Sequence, residues 1–248
     1  MHRPSWDYRD ISQLTQAFAD TEKDGAWGIA AEIAGSLNAG GDATAATVSC
    51  ATSGNCTVGG VFQDNANRHQ PFVLTETAGS WGQAGPVSGS TAFTSSTETS
   101  IAALSCASAG NCVAGGSYSS GVSDDQAYVL TQTHGAWGKA ALLPGLASLN
   151  QGGHASVTAI SCRSAGNCSV GGSYRDKAGA FRAFVENEKN GTWTKAIPVP
   201  GLAALTATNG VKDSGVVALS CASAGHCVAG GSYHDRKNHL QAFVVSEG

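Results

Sequence analysis

The stretch SCASAGNCVAGGSY (residues 105–118) returns three more times with small changes, as SCATSGNCTVGGVF (49–62), SCRSAGNCSVGGSY (161–174) and SCASAGHCVAGGSY (220–233). Each copy joins two cysteines, five residues apart, to a Gly-Gly pair and an aromatic residue. The first cysteines step along the chain by 56, 56 and 59 residues, and Trp27, Trp81, Trp137 and Trp193 step by 54, 56 and 56. A fixed period of this size marks a structural unit that buries its apolar face against its neighbours. The 248 residues are therefore read as four tandem units. Residues 1–15 stand apart as an N-terminal extension, and 16–248 form one domain.

The cysteines fall as Cys50/Cys56, Cys106/Cys112, Cys162/Cys168 and Cys221/Cys227, with none left over. An even count at one spacing favours disulfides and an oxidising compartment. The C-x5-C spacing is wider than the usual zinc half-site and is not the C-x-x-C of thiol oxidoreductases, so metal ligation or free buried thiols remain the other readings. Only 13% of residues are charged, and glycine and small polar residues are abundant, as in a turn-rich β protein. Fourteen basic residues against eighteen acidic ones form no run able to neutralise successive phosphates, which argues against a nucleic-acid partner. No apolar run approaches the eighteen or more residues of a membrane-spanning helix.

Within a unit, 157–162 (VTAISC) alternates apolar and polar residues as a first strand, and a short Ala-Gly-Asn turn leads to 168–174 (CSVGGSY) as a second. A third strand is expected over 126–133 (QAYVLTQT). The turn HGAWG then leads into a fourth over 137–145, closed by Pro144 and Gly145.

Four strands in such a unit resemble a β-propeller blade. The segments TETAGSW ending at Trp81 and TQTHGAW ending at Trp137 resemble the Asp-box hairpin of sialidase-type propellers. The pairs Gly59-Gly60, Gly115-Gly116, Gly171-Gly172 and Gly230-Gly231 resemble those of kelch-like blades, at strand centres where a bulky side chain would hold neighbouring blades apart. The resemblance implies an all-β propeller of four blades, with a larger or assembled ring as the alternative. It also implies that the long connection into each innermost strand and the loop between second and third strands share one face around the central axis. The phrase QAF occurs at Gln16 and again at Gln241, and the chain stops where a fourth strand is due. The strand at Ala26-Trp27 is accordingly expected to pair with the last unit and close the ring. The segment before Trp27 is then a surplus copy, either displaced or the remnant of a preceding blade, and available for self-association. The tryptophans are expected to pack between strands; exposed indoles would instead make four sugar-stacking sites.

Repeated positions hold a fold, so function is sought where the copies differ. Eight residues before the first cysteine of each pair stand Asp42, Glu98, His154 and Asp213. In a four-bladed ring they would gather at one mouth of the channel, where like charges need a cation or a shared proton. Three carboxylates and an imidazole suit a divalent ion such as Ca²⁺ or Mn²⁺, or, less well, Zn²⁺; the same set can perform acid/base catalysis with His154 as base. The plain alternative is solvent-facing or turn-capping side chains. If the three extra residues of the last unit follow Asp213, the matched residue becomes Gly210. In the other loop, Asp64, Ser120, Asp176 and Asp235 are expected to accept hydrogen bonds within their own turns. The variable residues just before them, Gln63, Ser119, Arg175 and His234, are expected to face a ligand.

No serine lies in a G-x-S-x-G elbow, no H-E-x-x-H occurs, and no G-x-G-x-x-G follows a strand and opens a helix. The expectation is an extracellular module binding a glycan or other small polar ligand, with an enzyme (lyase, isomerase or hydrolase) built on the Asp/Glu/His ring as the alternative.

Overall fold

The computed structural model describes residues 7–88, 98–119, 124–206 and 213–247. They form an all-β array of antiparallel sheets that repeats with the sequence. The inner strands are Ala43–Thr52, Thr99–Ser108, Ala155–Ser164 and Ser214–Ser223. Each hairpins into a second strand, Asn55–Gln63, Asn111–Ser119, Asn167–Arg175 and His226–His234. Third strands follow at His69–Thr77, Asp125–Thr133, Phe181–Lys189 and Leu240–Ser246.

The fourth strand expected over 137–145 is broken in two. Ala136–Trp137 pairs with Gln132 and Thr133, and Ala141–Leu142 re-pairs at Tyr128 and Val129. Three residues span two on the third strand between them, so the outer edge bulges after Gly138, whose N–H donates to Thr131 O at 2.9 Å. The turn before it is a two-residue hairpin with φ of 50° at His134 and 86° at Gly135, which matches the twist of the flanking strands.

All eight cysteines are paired as the spacing indicated, with Cα–Cα separations of 3.9–4.0 Å. Each pair sits directly opposite across the inner hairpin, at Cys50↔Cys56, Cys106↔Cys112, Cys162↔Cys168 and Cys221↔Cys227. Four disulfides belong to an oxidising environment. Among the described residues no helix is long and apolar enough to cross a membrane.

The core lies between sheets. Val113 and Val129 of the second sheet pack with Val157, Ile160 and Phe184 of the third, and Val73 of the first packs with Ile101, Leu104 and Tyr128 of the second. The Gly-Gly pair makes this approach possible. A Cβ on Gly115 would lie 2.9 Å from Tyr128 O and 3.1 Å from Val157 Cγ1, and one on Gly171 would lie 2.7 Å from Val216 Cγ1. The serine before each first cysteine adds a polar tie: Oγ of Ser49, Ser105 and Ser161 accepts the backbone N–H of Cys106, Cys162 and Cys221 on the next inner strand, each at 3.0 Å.

The ends of the array differ from the closure expected. Ala26–Trp27 pairs with Glu22–Lys23 across its own hairpin turn at Asp24 and Gly25, not with the last sheet. A two-residue turn closes at far smaller entropic cost than a pairing across the whole chain. Of the two readings of the QAF copy, the structure gives the second: Thr15–Ala19 is a strand of a leading sheet, flanked by Asp7–Arg9 and Ala31–Glu32. Asp7–Arg9, expected in an extension, is a strand of that sheet, antiparallel to Thr15–Ala19. At the other end, Leu240–Ser246 has the second strand as its one strand partner among the described residues. Val228 and Val244 there are 46% and 75% exposed, where their counterparts Val113 and Val129 are 2% and 1% exposed.

The open end supplies an internal control. A Cβ on Gly230 would have nothing nearer than Phe243 O at 3.7 Å. Gly115→Ala should cost about 2 kcal/mol or more, whereas Gly230→Ala should cost less than about 0.5 kcal/mol; urea denaturation of the two variants measures the difference.

Candidate functional site

The two sets of loop residues read from the sequence meet at one end of the array. The N–H groups of Gln63, Ser119, Arg175 and His234 donate to the carbonyls of Asp42, Glu98, His154 and Asp213 at 2.7, 2.9, 2.7 and 3.1 Å. Each second strand thus ends beside the residue that opens its own inner strand. The fourth contact fixes Asp213 as the matched residue of the last unit; Gly210 and Ser120 lie outside the described residues.

The side chains form a line of local clusters and not a four-membered ring. His69, which opens the third strand of the first sheet, lies between two carboxylates. Its Nδ1 is 3.1 Å from Glu98 Oε2 and its Nε2 is 3.5 Å from Asp42 Oδ2. One sheet further, Asp125 Oδ2 is 2.9 Å from His154 Nδ1. In the next, Asp213 Oδ1 accepts the backbone N–H of Phe181 at 2.9 Å. The rule is the same each time: the first residue of a third strand meets the residue just before the next inner strand. Thr15 and Asp42 repeat it as a parallel bridge at the start of the array. The ring was expected from closure about an axis, and the observed pairing runs from sheet to adjacent sheet. Among the described residues no group of three or more His, Cys, Asp and Glu side chains is set to hold a metal ion.

Asp42, His69, Glu98 and Asp125 line a groove of about 360 Å³, together with Thr44, Ser100 and Ser117. The hydrogen bond of His69 is the one at Nδ1 with Glu98; Asp42 stands further off at Nε2. His154 is held through Nδ1, and its Nε2 has no hydrogen-bond partner among the described residues.

The residues expected to face a ligand are partly committed elsewhere. Arg175 Nε donates to Gly179 O at 3.0 Å within its own loop, and His234 Nδ1 is 3.4 Å from Asp213 O. The Gln63 side chain lies against Gly40. The aspartates after them do hold their turns. Asp64 Oδ1 accepts the N–H of Ala66 and Arg68, Asp176 Oδ1 those of Ala178 and Ala180, and Asp235 Oδ1 those of Lys237 and His239. Burial works to raise the Asp176 pKa, and the Arg182 side chain and the turn N–H groups outweigh it, holding the carboxyl below its ordinary range. Asp10 makes the same turn with Ser12 and Leu14, a copy not found from the sequence. The signal was there: Tyr8-Arg9-Asp10 repeats Tyr174-Arg175-Asp176. Trp81, Trp137 and Trp193 pack half-buried against the core, whereas Trp27, with no sheet before its own among the described residues, is 71% exposed.

Sequence reasoning also missed three buried carboxyls on the third strands, Glu76, Glu186 and Glu188. Glu76 Oε1 accepts from Thr21 Oγ1 at 3.2 Å. Glu186, 2% exposed, has no partner for either oxygen among the described residues, and burial pushes its pKa up to about 8.

No protein-family model matches the sequence, and no curated protein matches it. Among solved structures, a protein of unknown function from Dyadobacter fermentans DSM 18053 superposes with a TM-score of 0.53 at 14% identity, over 100% of this chain and 68% of that one. A neuraminidase-like protein from A/bat/Guatemala/164/2009 matches with a TM-score of 0.39 at 10% identity, over 79% of this chain and 52% of that one. The first likeness concerns the fold alone, and the second is too distant to carry an argument.

Glu186 sets a pH dependence. Its folded pKa lies above the ordinary 4.5, so the folded protein keeps a proton that the unfolded chain releases, and stability falls as pH rises from about 4.5 to about 8. Leu74 and Leu130 occupy the matching positions. Glu186→Leu should therefore raise stability by about 2 kcal/mol or more at pH 7, with a gain that grows from about pH 5 to about pH 8, read by urea denaturation across that range.

Proposed function

We propose that this chain is a ligand-binding module whose sheets are propeller blades, working outside the cell and gripping a glycan or other small polar ligand at the loop end. The Gly-Gly pairs fit kelch-like blades, and the Thr-x-Thr-x-Gly-x-Trp hairpins fit an Asp-box-like turn. The observation that carries the reading is the groove lined by Asp42, His69, Glu98 and Asp125. It offers carboxylate acceptors, an imidazole and the hydroxyls of Thr44, Ser100 and Ser117, a mixture suited to a ligand with several hydroxyl groups. Binding is favoured over catalysis because carboxylates flank both nitrogens of His69, leaving neither for proton transfer. The paired cysteines suit the oxidising conditions of the cell exterior.

One observation favours the enzyme reading. The Asp125–His154 pair orients an imidazole with Nε2 free among the described residues, which is the arrangement of a general base.

Calorimetric titration with a panel of mono- and oligosaccharides tests both. At least one sugar is expected to bind, with affinity reduced about tenfold or more by His69→Ala, and to be recovered unchanged by mass spectrometry. Absence of binding across the panel, or binding indifferent to His69→Ala, overturns the module. A chemically altered sugar, with the change abolished by His154→Ala, replaces it with the enzyme.

A further inference from the structure

A second cavity lies at the opposite end of the array, between the disulfide turns of the second and third sheets. It holds about 560 Å³. Its walls include Val113, Val129 and Thr131 from the second sheet and Glu188 and Trp193 from the third. Side chains alternate along a strand, so Phe184, Glu186 and Glu188 share one face. Phe184 packs on Val113 and Val129, and this fixes the direction: Glu188 projects toward the second sheet, on the cavity side.

Glu188 is 4% exposed, and its Oε2 has no hydrogen-bond partner among the described residues. At the matching positions of earlier sheets one side-chain atom is tied to the sheet before, although Glu76 Oε2 and Gln132 Oε1 also lack a partner among the described residues. Glu76 accepts from Thr21, and Gln132 Nε2 donates to Thr75 Oγ1 at 3.4 Å and to Gly135 O at 3.2 Å. Thr131 is the counterpart of Thr75, and no hydrogen bond joins it to Glu188. The cavity occupies the place where that contact is made one sheet earlier.

We infer that this cavity is a binding site for a primary alkylammonium ion, with Glu188 receiving the ammonium group. The unmet need is for donors: Glu188 Oε2 lacks one, as do both oxygens of Glu186 behind it on the same strand face. An ammonium group brings three N–H donors and the positive charge that an ionised buried carboxylate requires. The alkyl chain rests on Val113 and Val129, and the Trp193 indole adds a face attractive to cations. Lys139 stands on the same lining, so a ligand with a single ammonium fits better than a polyamine.

The test uses n-butylamine as probe and 1-butanol as its uncharged counterpart, titrated calorimetrically into the full chain at neutral pH. Butylamine is expected to bind and butanol to fail. Glu188→Gln, which copies the residue the second sheet already carries as Gln132, is expected to weaken butylamine about tenfold or more. In ¹H–¹⁵N spectra of the wild type, butylamine is expected to move the Trp193 indole resonance and leave exposed Trp27 in place. Equal binding of butanol, equal affinity in Glu188→Gln, or a shift confined to Trp27 overturns the inference. The spectral readout stands whether or not the variant folds.

Discussion

The structure depends on how closely one sheet can approach the next. Sheets built of short strands have too little surface to form separate cores, so their apolar side chains must be buried in the layers between them. Gly59, Gly115 and Gly171, which open the first three Gly-Gly pairs, leave the space that Ile101, Val157 and Val216 of the following inner strand fill. Ser49, Ser105 and Ser161 then each satisfy a backbone amide of the next inner strand, at Cys106, Cys162 and Cys221. The disulfide locks the hairpin whose two strands carry both features. SCASAGNCVAGGSY is thus a docking surface with its own staple.

Function-bearing side chains take their positions from that docking. His69 reaches Glu98, and Asp125 reaches His154, because each third strand starts level with the next inner strand. The clasp end shows the same logic. Asn55, Asn111 and Asn167 accept the N–H of Ala78, His134 and Asn190, tying the inner hairpin to the outer turn of the same sheet. His226 replaces this asparagine in the last unit, where the described residues include no outer turn to hold.

Much of this was legible in the sequence, for reasons that differ by residue. The period, the cysteine pairing and the strand alternation are local or repeated signals. The turn role of Asp64, Asp176 and Asp235 follows from aspartate chemistry alone. The neighbourhood of Asp42 with Gln63, and of His154 with Arg175, followed from placing both loops on one face. What sequence could not supply was the relation between different sheets. Asp42, Glu98, His154 and Asp213 were grouped by equal spacing, while their actual partners, His69, Asp125 and Phe181, sit on third strands and share no residue type. Glu186 and Glu188 read as ordinary polar positions, since their burial is set by the neighbouring sheet. The leading sheet was legible only as one of two readings of the QAF copy, because its described residues hold no cysteine hairpin to serve as a ruler.

The account turns on serial docking through the inner strands, and amide hydrogen exchange tests it directly. The N–H groups of Cys106, Cys162 and Cys221 each meet a serine of the preceding sheet, whereas Cys50 meets none among the described residues. Site-resolved exchange should find the first three protected and Cys50 exchanging faster. Equal exchange at all four cysteines would contradict the docking on which the rest is built.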